Sequence, residues 1–416
     1  MEMNKDKDSV LTIAVIGGGY AGIHAVMEIR KRLANDRMEG REVKIVLMDK
    51  NQFHVRKVLL FKPAASRSDI IIPFQQLLPN DVELVQGTVT NVISREKVIK
   101  YVAASGIEQL LPYDIAIMAA GSIVRRPDKN KGGIALSSLE DALQIRQVWT
   151  HNLLKAGAEQ DEASRKGLLT AAIAGAGISG IETAAELAFF MRREAEHAGI
   201  NPDEIRVLLV NSGKRLFPQG SEKAGIRLEK MLHERGIQVI HQARVDEFNE
   251  GTLLLENHET IAAGLCIWTL GLIPHPSLRS WGLPLTSDGY IKIDSCYRVA
   301  GESSLYSIGD CAAVFDGQSG KPDGKTCKEG IAQAARLAKI IEADLLGKVA
   351  PAHKSFMDFF CIGLGPEQGM AWTRKWGIDM MITGKLGSKI RAFTWDSASL
   401  LAQRKDERGF VMQQEE

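Results

Sequence analysis

The chain has 416 residues, 45% of them hydrophobic and 25% charged, with a formal net charge of +1. That length suits two or three hydrophobic cores better than one. The near-neutral balance, with no Lys/Arg stripe interleaved with aromatics, excludes an electrostatic case for a nucleic-acid partner.

Residues 1–10, MEMNKDKDSV, are polar and mixed in charge and lack the apolar core of a signal peptide, so the expected compartment is the cytoplasm. The first element is LTIAVIGGGYAGIHAVMEIR at 11–30. It reads as an apolar strand, the turn Gly17-x-Gly19-x-x-Gly22, and a helix predicted to run to about Leu33. The first glycine permits the tight turn, the second lets the backbone approach a pyrophosphate, and the third allows close helix–strand packing. The diphosphate then sits on the free amides and positive end of the helix. A second strand, EVKIVLMDK, ends in Asp49, where a carboxylate holds a ribose hydroxyl. A glycine turn alone is weak evidence, because such turns also precede helices for structural reasons. The order strand, turn, helix, strand and acid carries the dinucleotide reading.

Next come DVELVQGTVTNV, a charged turn, and LPYDIAIMAAGS. Residues 168–190, LLTAAIAGAGISGIETAAELAFF, are almost long and apolar enough for a membrane span. Glu182 and Glu186, i and i+4 on one helix face, would be costly at bilayer depth. The stretch reads instead as a buried strand, a second turn Gly175-x-Gly177-x-x-Gly180, and a helix. Its second strand, IRVLLVNSGKRLFP, ends in Asn211 where an acid is expected, with Lys214 and Arg215 just beyond. An acid there accepts from the 2′-hydroxyl of NADH and repels the 2′-phosphate of NADPH. Asn211 suits either sugar, and the two cations are either phosphate partners or solvated turn charges, so the coenzyme choice stays open. GIQVIHQARVDEF and IAAGLCIWTLGLIP then repeat the downstream grammar of the first half. Two nucleotide-binding halves in one chain imply two dinucleotides placed for electron transfer between them.

The segment ESSLYSIGDCAAV brings a strand ending in Gly309-Asp310, an Asp position that suits a ribityl chain in a flavin site. The tail, FFCIGLGPEQGMAWTRKWGIDMMITGKLGSKIRAFTWDSASLLAQ, reads as strands and a short helix. It carries aromatics with Lys385, Lys389 and Arg391 but no long helix with one apolar and one basic face. The cysteines Cys266, Cys296, Cys311, Cys327 and Cys361 form no CxxC pair and no metal-ligand spacing, which fits a reduced compartment and no metal site.

With these elements in order, the chain resembles the two-dinucleotide flavoprotein superfamily, the pyridine nucleotide–disulfide oxidoreductase fold. Within it the chain is most similar to the type II NADH dehydrogenase-like branch. The carrying residues are Gly17–Gly22 with Asp49, IMAAGS 117–122, Gly175–Glu182, WTLGLIP 268–274 and YSIGDCA 306–312. The resemblance implies an α/β fold with two Rossmann-like, glutathione reductase-type domains and a small C-terminal interface domain resembling a membrane-docking one. The expected division is an FAD-binding domain at 1–125 and 290–345, an NAD(P)H-binding domain at 126–289, and the C-terminal part at 346–416.

The resemblance implies FAD contacts at Gly17, Gly19, Tyr20, Ala21, Gly22, Asp49, Lys50, Val89, Ala120, Gly121, Gly309, Asp310, Gly330 and Ile331. It implies NADH or NADPH contacts at Gly175, Gly177, Ile178, Ser179, Gly180, Asn211 and Gly271, with Glu182 near the nicotinamide. The helix beginning around Lys328 and Glu329 is expected to offer a positive field to the reduced flavin. Lys62 and His54 are expected near the flavin N5 or the acceptor, though each reads equally well as a surface or packing residue. Departures from the family bear on the acceptor. No cysteine pair follows Asp49, which argues against a thiol–disulfide relay, and Cys327 has no partner before Cys266. A glutamine-rich turn of the respiratory members is replaced by Lys328, Glu329 and Gly330.

The implied activity is an FAD-dependent NAD(P)H dehydrogenase passing a hydride to FAD and electrons on to a quinone or other small acceptor. Two alternatives stay open: a biosynthetic flavoenzyme acting on a specific metabolite, and a redox-sensing protein with little turnover. Peripheral contact with the inner face of a membrane through the C-terminal domain, and a homodimer, are further open expectations.

Overall fold

The computed structural model describes residues 10–34, 41–317, 319–355 and 358–402. The polar segment 1–9, and the compartment reading drawn from it, lies outside the described residues.

The first half contains β1 (Leu11–Ile16), α1 (Tyr20–Ile29), β2 (Val43–Asp49), a short helix α2 (Phe61–Ala65), β3 (Val82–Ile93), β4 (Val98–Ala103), β5 (Glu108–Pro112) and β6 (Ile115–Met118). A π-type turn, Arg30–Ala34, extends α1 to the end expected near Leu33. The second half contains β7 (Ile134–Ala135), α3 (Leu139–Ala158), β8 (Thr170–Ala174), α4 (Ile178–His197), β9 (Arg206–Asn211), α5 (Glu222–His233), β10 (Ile237–His241) and β11 (Leu265–Trp268). The chain then returns through β12 (Leu305–Ser307) and α6 (Cys327–Leu345) before β13 (Phe359–Gly363), β14 (Gly369–Lys375), β15 (Ile378–Thr383) and α7 (Gly384–Ala398).

One seven-stranded sheet runs β12-β6-β1-β2-β3-β4-β5. Its strands are parallel from β12 to the first part of β3, which then turns antiparallel to β4. The second sheet, β7-β11-β8-β9-β10, is parallel throughout. Strands buried on both faces must be apolar along their whole length, and LTIAVI and TAAIA satisfy that. In each sheet the order reverses beside the strand that precedes the glycine turn, which opens the crevice where ligands bind. A ribbon of Ser122–Val124 paired with Leu272–Pro274 joins the halves. After β10 the second half adds an antiparallel unit, Val245–Asn249, Thr252–Leu255 and Thr260–Ala262, as a separate sheet, where the first half continues β3 into an antiparallel run with β4 and β5 within its main sheet. The duplication seen in the sequence is therefore structural.

Helices α1 and α6 share one core, with Ile23, Val26 and Ile29 against Leu337, Ile340 and Ile341. A second core joins Phe61 and Ala64 of α2, Ile181 and Ala184 of α4, and Ile362, Met370 and Trp372 of the C-terminal sheet. Burial of that apolar surface fixes the first-half loop, the second nucleotide helix and the tail relative to one another. The tail forms strands as expected, but MITGKLGSKI is divided: MIT closes β15 and GKLGSKI opens α7, which at 15 residues is not short. Among the described residues no helix is long and apolar enough to cross a membrane.

Candidate functional site: two nucleotide turns and a C-terminal clasp

The two glycine turns are built alike. Gly17 has φ +107° and Gly175 φ +117°, and a Cβ there would lie 2.4 Å from Ala119 O and 2.5 Å from Thr269 O. At Gly22 and Gly180 it would lie 1.8 Å from Gly17 O and 1.9 Å from Gly175 O. At Gly19 and Gly177 it would meet nothing within 4 Å. The outer glycines of each turn are thus demanded by backbone packing, and the central one faces open space that a diphosphate can enter. Helices α3 and α5 have their first amides capped by Ser138 and Ser221. Gly19 and Gly177 supply no side-chain cap to α1 and α4, leaving those amides to an anion. Ile178 and Ser179 open α4 at that mouth. Both turns fit a dinucleotide.

At the first turn, Asp49 accepts from the amides of Gly18 (2.7 Å) and Asn51 (2.8 Å), which aligns its carboxylate at the end of β2; Lys50 beside it is exposed. Ala21 is the point of convergence. A Cβ at Gly309 would lie 2.9 Å, and one at Gly330 3.3 Å, from Ala21 Cβ, so α1, the Gly309 turn and α6 meet there. Gly309 N donates to buried Gln333 (2.7 Å), and Gln333 donates to Asp323 (2.8 Å). Ser122 donates to Asp310 (2.6 Å) beside Ala120 and Gly121, and Lys57 Nζ reaches Ser122 O at 3.5 Å. Ile331 lies next to Gly330 in the first turns of α6. Val89 is in the core and its carbonyl accepts from Trp281 (3.1 Å).

His54 is buried, with Nδ1 2.9 Å from Gly18 O and Tyr20 edge-on at 4.8 Å. Burial pushes its pKa down to about 4, so the ring is neutral at pH 7 and donates to Gly18 O as a support for the turn.

The tail closes the site as a clasp. Glu182, 2% exposed in its side chain, accepts from Arg391 Nε (2.8 Å) and Nη2 (3.0 Å) of α7 and from Gly363 N (2.8 Å) of β13. It is an internal anchor of α7, engaged on both oxygens. Arg56 donates to Asp396 (2.8 Å) and Ser399 (3.1 Å), and His24 Nε2 lies 3.0 Å from Ala398 O, so the same helix grips the first half. Lys62 Nζ and the Arg391 guanidinium each lie 4.9 Å from the Trp395 ring centroid. Burial pushes the Glu186 carboxyl up to about 7, opposed by Lys62 and helped by Glu182. Lys328 pairs with Glu329 (2.9 Å) and lies 4.5 Å over Phe360, while Glu329 is buried and also accepts from Thr326. Those two charges hold the start of α6. Cys327 opens α6 with its thiol pKa raised by burial, and all five cysteines are free. Among the described residues no cluster could hold a metal ion.

At the end of β9, Asn211 is buried and turned inward. Its Nδ2, with two hydrogens to give, lies within hydrogen-bond reach of Gly213 O and Arg215 O (3.1 Å each) and of His241 Nδ1 (2.9 Å), and its Oδ1 accepts from Gly213 N (3.2 Å). Arg215 donates to the carbonyls of Phe217 (2.9 Å), Pro218 and Gly220 (3.0 Å each). Both residues fold the turn. Gly271, after β11, faces open space like Gly121 after β6. Sequence reasoning gave no site role to Arg391, Arg56 or Trp395, whose partners Glu182, Asp396 and Lys62 lie far along the chain, nor to Glu186. The i, i+4 spacing of the two buried glutamates was the one signal for Glu186.

The family of pyridine nucleotide-disulphide oxidoreductases matches residues 11–336. The chain is 26% identical over 344 residues to an NADH dehydrogenase-like protein, YutJ, of Bacillus subtilis, spanning 82% of this chain and 85% of that one. It is 23% identical over 402 residues to a type II NADH:quinone oxidoreductase of Staphylococcus aureus, covering 92% and 93% of the two chains. In three dimensions it is similar to NDH2 of Plasmodium falciparum, solved with NADH, at TM-score 0.76, 16% identity and 96% and 98% coverage. A sulfide:quinone oxidoreductase of Aquifex aeolicus has the same fold at TM-score 0.72, 17% identity and 94% and 92% coverage.

Proposed function

The chain belongs to the pyridine nucleotide-disulphide oxidoreductase family, and on that premise we propose that it is an FAD-dependent NAD(P)H dehydrogenase with a quinone as its acceptor. The observation that carries the reading is the pair of uncapped glycine turns, each with a central glycine open to a diphosphate. Relatives named NADH:quinone oxidoreductases support the acceptor class. FAD, when bound, would supply the group that accepts a hydride from NAD(P)H and passes its two electrons and its proton to the quinone, which takes a second proton from solvent to become the quinol.

The chain's residues bind and orient. Asp49 and the amides of α1 would hold one nucleotide, with Asp310, which Ser122 keeps in place, as a further contact to it. The amides of α4 hold the other, and the α6 N-terminus turns its positive end toward developing negative charge. Arg391 keeps Glu182 and the tail in place so that water is kept from the junction. The first-half nucleotide domain is discontinuous, residues 1–125 and 290–345, with the second at 126–289 and the interface part at 346–416.

The acceptor's entry is proposed at the tail. Trp376 is 88% and Ile378 67% exposed, and Met380 and Ile382 of β15 and Leu386 and Phe393 of α7 are exposed apolar residues of the same C-terminal part. Lys385 and Lys389 on α7 lie near them in sequence, the pairing of apolar and cationic groups that settles on a bilayer surface. This favours peripheral contact with a membrane holding the quinone. Steady-state oxidation of NADH and NADPH with a short-chain ubiquinone analogue tests the reading. Turnover with the quinone supports it, and turnover with ferricyanide but with no quinone rejects the acceptor.

A further inference from the structure

Coenzyme recognition depends on the strand end that faces the adenosine ribose. A carboxylate there selects the free 2′-hydroxyl, and its replacement by a cation selects a 2′-phosphate. In this chain Asn211 occupies that strand end with its amide nitrogen engaged by Gly213, Arg215 and His241 and its oxygen accepting from Gly213 N, so its side chain brings no charge to the ribose. His241 is in turn held by Glu229 (2.9 Å), which fixes the inward orientation. Arg215 is equally spent on backbone carbonyls. Just outside Asn211 lies a recess of about 310 Å³ lined by Ser212, Gln242, Ala243, Arg244, Glu256 and Asn257. Its backbone is fixed: Gln242 N donates to Gly213 O (3.1 Å) and Ala243 N to Asn211 O (3.1 Å), so the loop after β10 is tied to the turn after β9. Arg244 is exposed, and its guanidinium has neither ion pair nor hydrogen bond among the described residues. Glu256 brings a carboxylate to the recess, but it is held there by its amide on Arg244 O (2.9 Å) and forms no ion pair with Arg244.

We propose that this recess takes the 2′-phosphate of NADPH, with Arg244 and the Ser212 hydroxyl as its partners, so that the enzyme prefers NADPH to NADH. The inference builds on the reading of the second half as an NAD(P)H site. Its chemistry is ordinary: an exposed guanidinium facing a phosphate dianion gains charge-assisted hydrogen bonds, Asn211 puts no acid at the strand end, and the Glu256 carboxylate in the lining is the one charge that works against it. Calorimetric titration of the FAD-loaded protein with 2′,5′-ADP and with 5′-AMP tests the adenosine end without any turnover. The expected result is 2′,5′-ADP binding about tenfold or more tightly, with Arg244→Ala erasing that advantage and leaving 5′-AMP unchanged. Equal affinities in the unaltered protein, or an advantage that survives Arg244→Ala, overturn the proposal and leave the nucleotide site standing. Failure of both nucleotides to bind overturns the proposal and the nucleotide reading together.

Discussion

Replacing Arg391 with alanine removes two of the three hydrogen bonds on Glu182 and leaves its carboxylate, 2% exposed, bonded to Gly363 N alone. Breaking one side of a buried ion pair costs about 3–5 kcal/mol, because the remaining charge stays desolvated. An unfolding entropy of about 2.1 cal/mol/K per residue, taken over 416 residues, makes that a fall in Tm of roughly 3–6 °C if the chain melts as one unit. The expected outcome in differential scanning calorimetry is a drop of that size for Arg391→Ala. Arg391→Met combined with Glu182→Leu should recover most of it, since an apolar pair of similar volume carries no buried charge. Loss of Arg391 should also weaken the grip of α7 on the second half, through Glu182 of α4, speeding proteolysis between β15 and α7. An unchanged Tm in Arg391→Ala, or a double variant no better than the single, would refute the claim that this pair clasps the tail.

Three other predictions follow from separate parts of the molecule. The native Glu186 carboxyl, raised to about 7, binds its proton more tightly than the unfolded chain does, so stability falls as pH rises from the ordinary glutamate range through 7. Glu186→Gln should therefore melt higher than the unaltered protein at pH 8, by up to about 3 kcal/mol, with the gap closing below pH 5; a gap independent of pH contradicts the assignment. Gly17→Ala places a Cβ 2.4 Å from Ala119 O at φ +107°, whereas Gly19→Ala meets nothing within 4 Å. The first should fold poorly, and the second should keep its Tm but lose FAD, read as the flavin-to-protein ratio after gel filtration. Replacing Trp376, Ile378 and Phe393 by serine should abolish flotation with anionic phospholipid vesicles while leaving turnover with a soluble quinone analogue intact.

The parts of the site that were legible in the sequence are those set by local chain geometry. The Gly17 and Gly175 turns could be read because backbone crowding allows no side chain, and the apolar runs of β1 and β8 because both faces of a parallel sheet are covered. The repeat of hairpin and strand in each half was legible for the same reason. What was hidden depends on distant contacts. Glu182 reads as a cleft acid until Arg391, 209 residues away, is seen to occupy it. Asn211 and Arg215 look like ligands for a sugar and a phosphate, but the turn uses both for its own backbone bonds. Their replacement at the recess, Arg244, comes from the neighbouring strand's loop, and only the pairing of β9 with β10 brings it there.

The central claim, that one chain holds a flavin and a hydride donor in contact, is tested most directly by the visible spectrum under anaerobic conditions. Purified FAD-loaded protein should be yellow and should bleach within seconds to minutes on stoichiometric addition of NADPH, with NADH acting more weakly. A yellow protein that neither coenzyme bleaches would contradict the account, because the second nucleotide turn would then not deliver a hydride to the first.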